Sequence, residues 1–565
     1  MLVAFIAALL THQAPPDSVA RVTVSDSLAI HRGARRAQAD FERRRLTLLP
    51  LAYSRAEACD AKVGRFCYWV NREEKPPAEP PKVSSLRSRL IASLDRAAAK
   101  VPGDGWIAGQ RVRYLAEAGR HADAIAAARE CRATASWCAS LAAFASSGSG
   151  NAAAADSAVF AALDAMSSEE RCAAADLQLI VDEPLRTRFR NADCAERQRL
   201  ATRWYELAAP FYGRIGNPVR VEIFARRVMA RIAADSRTPF SPMTGKDLEE
   251  LVIRYGWPVG WARSGHSAAT PGATESAIGY DPPASFALAP SSAAVESDGA
   301  IDDRAWRFDA RAARVRFAIP GVTALGHVAR RIAVFRRGDS TLVVAAFDAA
   351  QDTALRPART PKPELVLLAP EDSMPLVVRG DTGRSGVLVV TAPWRPRLVA
   401  IQVYDSTTAR GARSRDGIVA EDTAGGAIGL SSLLLFAGDT LPPARLDSVF
   451  ARAIAGRIAQ DAKLGLFWEM YGVPDGQRVT ASIGLVPEPA GGLRRIGEMI
   501  GVVEPRTPVR LTWEDAPAID GSVGGRALLL GLDGIPPGRY RVELSIAVEG
   551  QPARRAASAV EIVGR

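Results

Sequence analysis

Histidine is scarce in this chain, and its scarcity limits the chemistry that the sequence offers. The five histidines are His12, His31, His121, His266 and His327, which lie far apart and show no metal-ligand spacing. The helical zinc-protease motif needs two histidines one turn apart with a glutamate beside the first, and the sequence has no such pair. The sequence therefore predicts no metal site.

The common signatures of enzymes are also missing. The chain has no Gly-x-Ser-x-Gly motif, so it offers no α/β-hydrolase nucleophile. Gly245-Lys246 lacks the upstream glycine of a phosphate-binding loop, and Asp302-Asp303 lacks the spacing of a calcium loop. No strand precedes Gly103-Asp104-Gly105, which we interpret as a turn and helix cap. We predict no catalytic residue and no cofactor, although a triad could still assemble from distant residues.

Lysine is rare, since only seven of the 72 basic residues are lysines, and the arginines are scattered along the chain. A formal net charge of +10 by itself favours an anionic partner. However, no stretch interleaves basic and aromatic side chains in the manner of proteins that stack on single strands. We therefore predict no nucleic-acid partner.

Long apolar runs are absent after the N-terminus, so the sequence predicts no transmembrane helix. Residues 2–10 form a short apolar run that resembles the core of a signal peptide, which we place at 1–14. No basic residue precedes the run, and His12 stands where a small residue is expected, so the true start of the chain stays open. We predict an exported protein, whether periplasmic, cell-surface or secreted.

No cysteine follows Cys194, which concentrates all six cysteines in the first part of the chain. An even count beside a possible export signal favours disulfides over buried free thiols, which remain the alternative. The cysteines fall into three pairs that are close in sequence: Cys59 with Cys67, Cys131 with Cys138, and Cys172 with Cys194.

Two similar helix-turn-helix patterns follow each other between 105 and 166. The first turn has Gly119, and Gly150 occupies the same place thirty-one residues later. Glycine is the residue best suited to the left-handed backbone that ends a helix. Small residues stand where paired helices would approach closely, namely Ala124, Ala128, Ala155 and Ala162. The region resembles a tetratricopeptide repeat, and an ordinary alanine-rich bundle is the alternative.

The resemblance implies a concave face that holds a protein or peptide partner. Arg111, Arg113 and Tyr114 on the first repeat helix are the candidate contacts on that face. Trp257 and Trp261 follow the last predicted helix, and they form either a platform for a ligand or an apolar plug at the end of the array. The helical array is predicted over 20–262.

Residues 263–314 are rich in Ser, Ala, Pro and Thr, which predicts a linker. Beyond it the apolar residues alternate, and Gly338-Asp339 separates two such runs as a hairpin turn would. We predict a first β-sandwich over 315–440, a connecting helix over 441–456 and a second sandwich over 457–565. The approach to Tyr540 resembles the tyrosine corner of immunoglobulin-like or fibronectin-type modules, which gives this tyrosine a structural role.

The predicted fold class is a multidomain α + β chain, in which a helical hairpin array precedes two all-β sandwich modules. The leading functional hypothesis is a non-catalytic exported scaffold that binds a protein or peptide partner through the helical groove. A hydrolase of a cell-envelope polymer and an architectural surface protein are the alternatives. Both remain open because fold alone does not assign function.

Overall fold

A computed structural model describes most of the chain from Thr23 onwards. The described residues are 23–52, 61–64, 66–68, 75–209, 211–212, 216–240, 245–264, 277–280, 290–296, 324–369, 375–418, 428–474, 476–488, 507–516 and 523–564. The predicted signal peptide at 1–14 lies outside these residues. No helix within them is long and apolar enough to cross a membrane.

Helices occupy the first part of the chain, as the sequence predicts. They are α1 (Val24–Leu48), α2 (Pro81–Lys100), α3 (Gly105–Glu117), α4 (His121–Arg129), α5 (Ala135–Ser147), α6 (Ala152–Ala165), α7 (Ser168–Ala174), α8 (Glu183–Asn191), α9 (Cys194–Ala208), α10 (Pro218–Ala234), α11 (Lys246–Tyr255) and the short α12 (Ser292–Glu296). Five short strands accompany them, namely β1 (Leu51–Ala52), β2 (Ala61–Val63), β3 (Phe66–Tyr68), β4 (Gly260–Ser264) and β5 (Ala277–Tyr280).

The chain divides into two compact units. The first unit comprises Met1–Gly150, Ser157–Ala174 and Ile223–Pro282. The second unit comprises Asn151–Asp156, Ala175–Glu222 and Pro283–Arg565. Helices α8 and α9 therefore belong with the β-sheets, whereas the sequence assigned them to one helical array over 20–262.

Both turns of the predicted repeat have the expected backbone. Gly119 has φ +72° and Gly150 has φ +76°, so each places a left-handed residue after a helix. After α3 the N–H of Arg120 donates to the carbonyl of Leu115 at 3.0 Å, and the N–H of Gly119 donates to that of Ala116 at 3.0 Å. These bonds satisfy carbonyls that the helix end leaves without partners. The two helix-turn-helix units are thus confirmed, and their tetratricopeptide identity stays a prediction.

A disulfide links the first helix pair of the repeat, α3 and α4, to the second pair, α5 and α6. Cys131 follows α4 and Cys138 lies in α5, and their Cα atoms are 5.6 Å apart, as the sequence predicts. Cys172 and Cys194 are also disulfide-bonded. The proposed partner Cys59 lies outside the described residues, so the pairing with Cys67 stays a prediction.

The predicted linker over 263–314 contains regular structure. Strand β4 pairs parallel with β1 and antiparallel with β5, and α12 follows further along the chain. Trp261 on β4 is 6% exposed and packs with Leu49 and Ala277. Burial of this large apolar side chain stabilises the packing of β4 and β5 within the first unit. The amino-acid composition of the segment does not predict this packing.

The first β-sandwich pairs a five-stranded sheet with a three-stranded sheet. Its strands are β6 (Ala324–His327), β7 (Ala329–Arg337), β8 (Ser340–Asp348), β9 (Lys362–Leu368), β10 (Leu376–Arg379), β11 (Ser385–Pro393), β12 (Arg397–Asp405) and β13 (Arg410–Ile418). The orders are β10-β9-β12-β13-β6 and β11-β8-β7. The hairpin predicted at Gly338, which has φ +61°, joins β7 to β8.

The end of α9 is fastened to the first sandwich through polar groups. Gln402 on β12 is 2% exposed, and its amide accepts from the N–H of Tyr212 at 3.1 Å and donates to the carbonyl of Tyr212 at 3.0 Å. The guanidinium of Arg415 donates to the carbonyls of Leu207 and Ala209. A positively charged side chain at the C-terminus of a helix interacts favourably with the helix dipole. The bonds from Arg415 therefore stabilise the packing of α9 against the first sandwich.

The second sandwich consists of a four-stranded and a five-stranded sheet. Its strands are β14 (Gly429–Leu430), β15 (Leu434–Ala437), β16 (Arg457–Ala459), β17 (Lys463–Tyr471), β18 (Val479–Pro487), β19 (Val509–Asp515), β20 (Val523–Gly531), β21 (Gly538–Ala547) and β22 (Arg554–Val563). The first sheet has β17 at its centre, and the second has the order β16-β22-β21-β18-β19. The hydroxyl of Tyr540 donates to the carbonyl of Pro536 at 2.7 Å, which confirms its structural role.

The predicted connecting helix over 441–456 is wrong. The segment forms two short 3₁₀ turns, Leu446–Ser448 and Phe450–Arg452. Its apolar residues enter an apolar cluster that the two sandwiches share, in which Phe335 from the first sandwich meets Phe467 from the second. The helical spacing was misleading because tertiary packing, not an amphipathic helix, buries these side chains.

Candidate functional site

The candidate contacts on the first repeat helix lie mostly inside the first unit. Arg113 and Tyr114 are both 0% exposed. The side chain of Arg111 is 18% exposed, and it bonds to Asp95 at 2.5 Å and to Glu130 at 2.6 Å. Trp257 is half-buried, and Trp261 is buried beside it with 5.4 Å between ring centroids.

Arg113 and Tyr114 are part of a buried polar network that we call the helix network. It consists of Glu42, Arg45, Arg113, Tyr114 and Glu117. Arg113 donates to Glu42 at 3.0 Å and to Glu117 at 2.9 Å, and Arg45 donates to Glu117 at 3.1 Å. Two arginines balance two glutamates, which is the condition for burying charge at tolerable cost.

The helix network perturbs both of its carboxyl groups. Burial raises the pKa of Glu42, and the charges of Arg45 and Arg113 oppose that rise. For Glu117, burial alone would raise the pKa, but the charges of Arg113 and Arg45 overcome it and lower the pKa to about 2. Perturbed groups often mark functional sites, but ion-pair networks that serve the structure perturb pKa values in the same way.

The chain itself covers the face of α3 that the sequence offered as a groove. Glu42 on α1 forms an ion pair with Arg113 on α3. The side-chain amide of Gln110 on α3 donates to the carbonyl of Ile232 on α10 at 3.2 Å. The guanidinium of Arg113 also bonds to Ser236 at 3.3 Å. The predicted contact residues therefore serve packing of α1, α3 and α10 against each other within the first unit.

An open cleft lies in the second unit, where strands of both sandwiches meet. Its volume is about 580 Å³, within the usual range of ligand sites. Strand β7 and the end of β13 line it from the first sandwich, and β14, Tyr471 and the start of β22 line it from the second. We call it the arginine cleft, because its lining includes Arg330, Arg336, Arg554 and Arg555.

Positive charge dominates the arginine cleft. Among the described residues that line it, Asp416 is the one acidic residue, and Arg330 donates to it through two bonds of 2.8 and 2.7 Å. Arg554 and Arg555 form no ion pair within the described part of the chain. The guanidinium of Arg336 lies 5.8 Å from the ring centroid of Trp394, which also lines the cleft.

A network around Glu469 fixes one wall of the arginine cleft. Glu469 is 3% exposed and accepts two bonds from Arg337, at 2.6 and 2.8 Å. The hydroxyl of Tyr471 donates to Glu469 at 2.9 Å and accepts from the N–H of Arg336 at 3.0 Å. The N–H of Glu469 donates to the hydroxyl of Ser431 at 2.8 Å. These bonds hold Tyr471 and Ser431 in place without a ligand.

Arg331 on β7 is a further cationic group next to the cleft. Arg331 donates to the hydroxyl of Ser558, which lines the cleft, and to the carbonyl of Ala559. Burial lowers the pKa of Arg331 to about 10, and no carboxylate in the described residues pairs with it. Because the guanidinium still carries its charge at neutral pH, it adds to the positive potential around the cleft.

The chemistry of the arginine cleft suits an anionic ligand. Guanidinium groups present a planar set of donors that fits carboxylate, phosphate or sulfate. The hydroxyl of Ser431 donates to the carbonyl of Ser432 at 2.9 Å, and the described residues that line the cleft include no histidine beside it. Among the described residues, no group of three or more His, Cys, Asp or Glu side chains is arranged to hold a metal ion.

The sequence did not point to this cleft. Arg330 and Arg336 lie in one sandwich and Arg554 and Arg555 in the other, far apart in the chain. The doublet Arg554-Arg555 and the arginine-rich ends of β7 were the available signals. Neither signal could be distinguished from the other arginines in the sequence, because arginine accounts for almost all of the 72 basic residues.

Comparisons with known proteins provide no family for the chain. No protein-family model matches the sequence, and no curated protein matches it either. Among solved structures, a crystal structure of red sea bream transglutaminase is matched with a TM-score of 0.13 and 9% identity. The match covers 42% of this chain and 31% of the transglutaminase chain. Function must therefore be argued from the residues themselves.

Proposed function

We propose that the protein is a non-catalytic, exported binding protein that takes an anionic segment of a protein partner into the arginine cleft. The observation that carries the proposal is the charge imbalance of the cleft, whose described lining residues include four arginines and one aspartate. Export is consistent with the disulfides at Cys131–Cys138 and at Cys172 and Cys194.

The arginine cleft is better suited to this function than the helical face. The side chains proposed for the groove, Arg113 and Tyr114, are committed to Glu42 inside the first unit. Exchanging those bonds for a partner would expose buried charges at high cost. In contrast, Arg555 is exposed, and its charge is available without breaking any ion pair with a described residue.

The double variant Arg554→Ala/Arg555→Ala is expected to bind an acidic probe at least about tenfold more weakly than the wild type, because it removes charges that face the ligand. The probe is poly-L-glutamate, titrated into the full-length protein at low salt and followed by isothermal titration calorimetry. Low salt is needed because screening weakens contacts between exposed charges.

The matched control is Arg445→Ala/Arg478→Ala, which removes the same charge from side chains that are 73% and 82% exposed and lie outside the cleft. It should bind poly-L-glutamate like the wild type, and poly-L-lysine should bind to neither protein. If the two double variants lost affinity for poly-L-glutamate equally, binding would depend on net charge alone, and the proposal would be refuted.

A further inference from the structure

Strand β7 is an edge strand of the three-stranded sheet, and part of its outer edge is already in use. The carbonyl of Val334 accepts from the N–H of Ser432 at 3.2 Å, and the N–H of Arg336 donates to the hydroxyl of Tyr471 at 3.0 Å. Both groups point away from β8, the described strand that pairs with β7. Residues of the second sandwich thus provide hydrogen-bond partners for the outward main-chain groups near the C-terminal end of β7.

The next position of the same edge lies in the arginine cleft. In an antiparallel pair, main-chain groups that point outward recur at every second residue. Ile332 is two residues before Val334, so its N–H and C=O also point away from β8. Neither group bonds to any other described residue outside the β7–β8 pair. Ile332 itself lines the cleft, so a ligand there can reach these groups.

The side chains along this edge follow the same alternation. Arg330, Ile332, Val334 and Arg336 all line the cleft, so an apolar centre is flanked by basic ends. Ser432 and Tyr471 already use the outer edge at Val334 and Arg336, so a ligand strand can pair with the main chain of β7 only around Ile332. Arg554 and Arg555 add positive charge from β22. A chain paired there would need an apolar side chain beside Ile332 and, on the same face, acidic side chains two residues before and after it for the arginines.

We propose that the partner segment is an extended acidic peptide, which adds to the outer edge of β7 as a strand and pairs with the main chain of Ile332. The inference rests on the proposed function and specifies the ligand and its mode of binding. Main-chain bonds supply affinity in this mode, and alternate side chains supply specificity. Charge complementarity between the acidic segment and the cleft selects the partner.

Peptides with modified main chains test the proposal without changing the protein. The parent peptide is acetylated Glu-Ser-Val-Ser-Glu, which in an extended strand places Val and both Glu side chains on one face, as Ile332 and the arginines of β7 are placed. Two variants carry N-methyl groups either on the Glu and Val residues or on the Ser residues, so each variant lacks the donors of one edge of the peptide. A third variant has Gln in place of Glu, and a uronic-acid oligosaccharide of equal charge represents the other class of ligand.

The parent peptide should bind the full-length protein, and one of the N-methylated peptides should bind about tenfold more weakly, because it can no longer donate to the carbonyl of Ile332. The Gln peptide should also bind more weakly. Parent-like affinity of both N-methylated peptides would overturn strand addition, and so would equally tight binding of the oligosaccharide. If these results occur while poly-L-glutamate still binds through Arg554 and Arg555, the proposed function survives. If no acidic probe binds, both proposals fail.

Discussion

Replacing Arg113 with methionine is expected to lower the free energy of unfolding of the first unit by about 3–5 kcal/mol, the usual cost of breaking a buried ion pair from one side. Methionine fills much of the space but leaves Glu42 and Glu117 close together with less compensating charge. Glu42 is 2% exposed, so water cannot replace the lost bonds. Urea unfolding of the full-length protein, followed by circular dichroism of its helices, measures the change.

The control for this prediction is Arg111→Met on the same helix. Arg111 also has two acidic partners, but the side chains of Asp95 and Glu130 are 43% and 64% exposed. Exposed ion pairs contribute about 1 kcal/mol or less, so this variant should remain close to the wild type. Equal destabilisation by both substitutions would mean that the helix network contributes no more than a surface pair.

Replacing Phe467 with alanine is expected to destabilise the second unit by about 3–5 kcal/mol, the range for removing a large aromatic side chain from a core. Phe467 is 0% exposed and lies in the apolar cluster that includes Phe335 and Val344 of the first sandwich. The substitution therefore leaves a cavity between the two sandwiches. Urea unfolding of the full-length protein, followed by tryptophan fluorescence, measures the loss.

Leu511→Ala is the control in the same unit, because Leu511 on β19 is 49% exposed. A change at such a surface position usually alters stability by about 0.5 kcal/mol or less. If Phe467→Ala cost no more than Leu511→Ala, the sandwiches would not share a core. The walls of the arginine cleft, which belong to both sandwiches, would then lack a common support.

Local chemistry explains which parts of the fold the sequence could predict. Gly119 and Gly150 were recognisable because left-handed helix ends favour glycine whatever surrounds them. The hairpin at Gly338 and the corner at Tyr540 likewise depend on a few neighbouring residues. The α + β fold class followed from the change of apolar period along the chain. In each case the determining residues lie within one turn or one strand.

The features that the sequence could not predict depend on distant residues. Arg113 looked like a surface contact because nothing near it in the chain reveals that α1 brings Glu42 to it. The segment 441–456 had apolar residues at helical spacing, but Leu446 and Val449 are buried between two sandwiches instead. The arginine cleft combines residues of β7 and β22, and only the packing of two domains brings them together.

Hydrogen–deuterium exchange on the full-length protein, with and without the Glu-Ser-Val-Ser-Glu peptide, tests the location of the binding site most directly. We predict slower exchange in β7, especially at the amide of Ile332, and in the segment 553–558 at the start of β22. Exchange in α3 and α5 should not change. Protection of α3 and α5 with no change in β7 would show that the helical face holds the partner, and it would contradict the assignment of function to the arginine cleft.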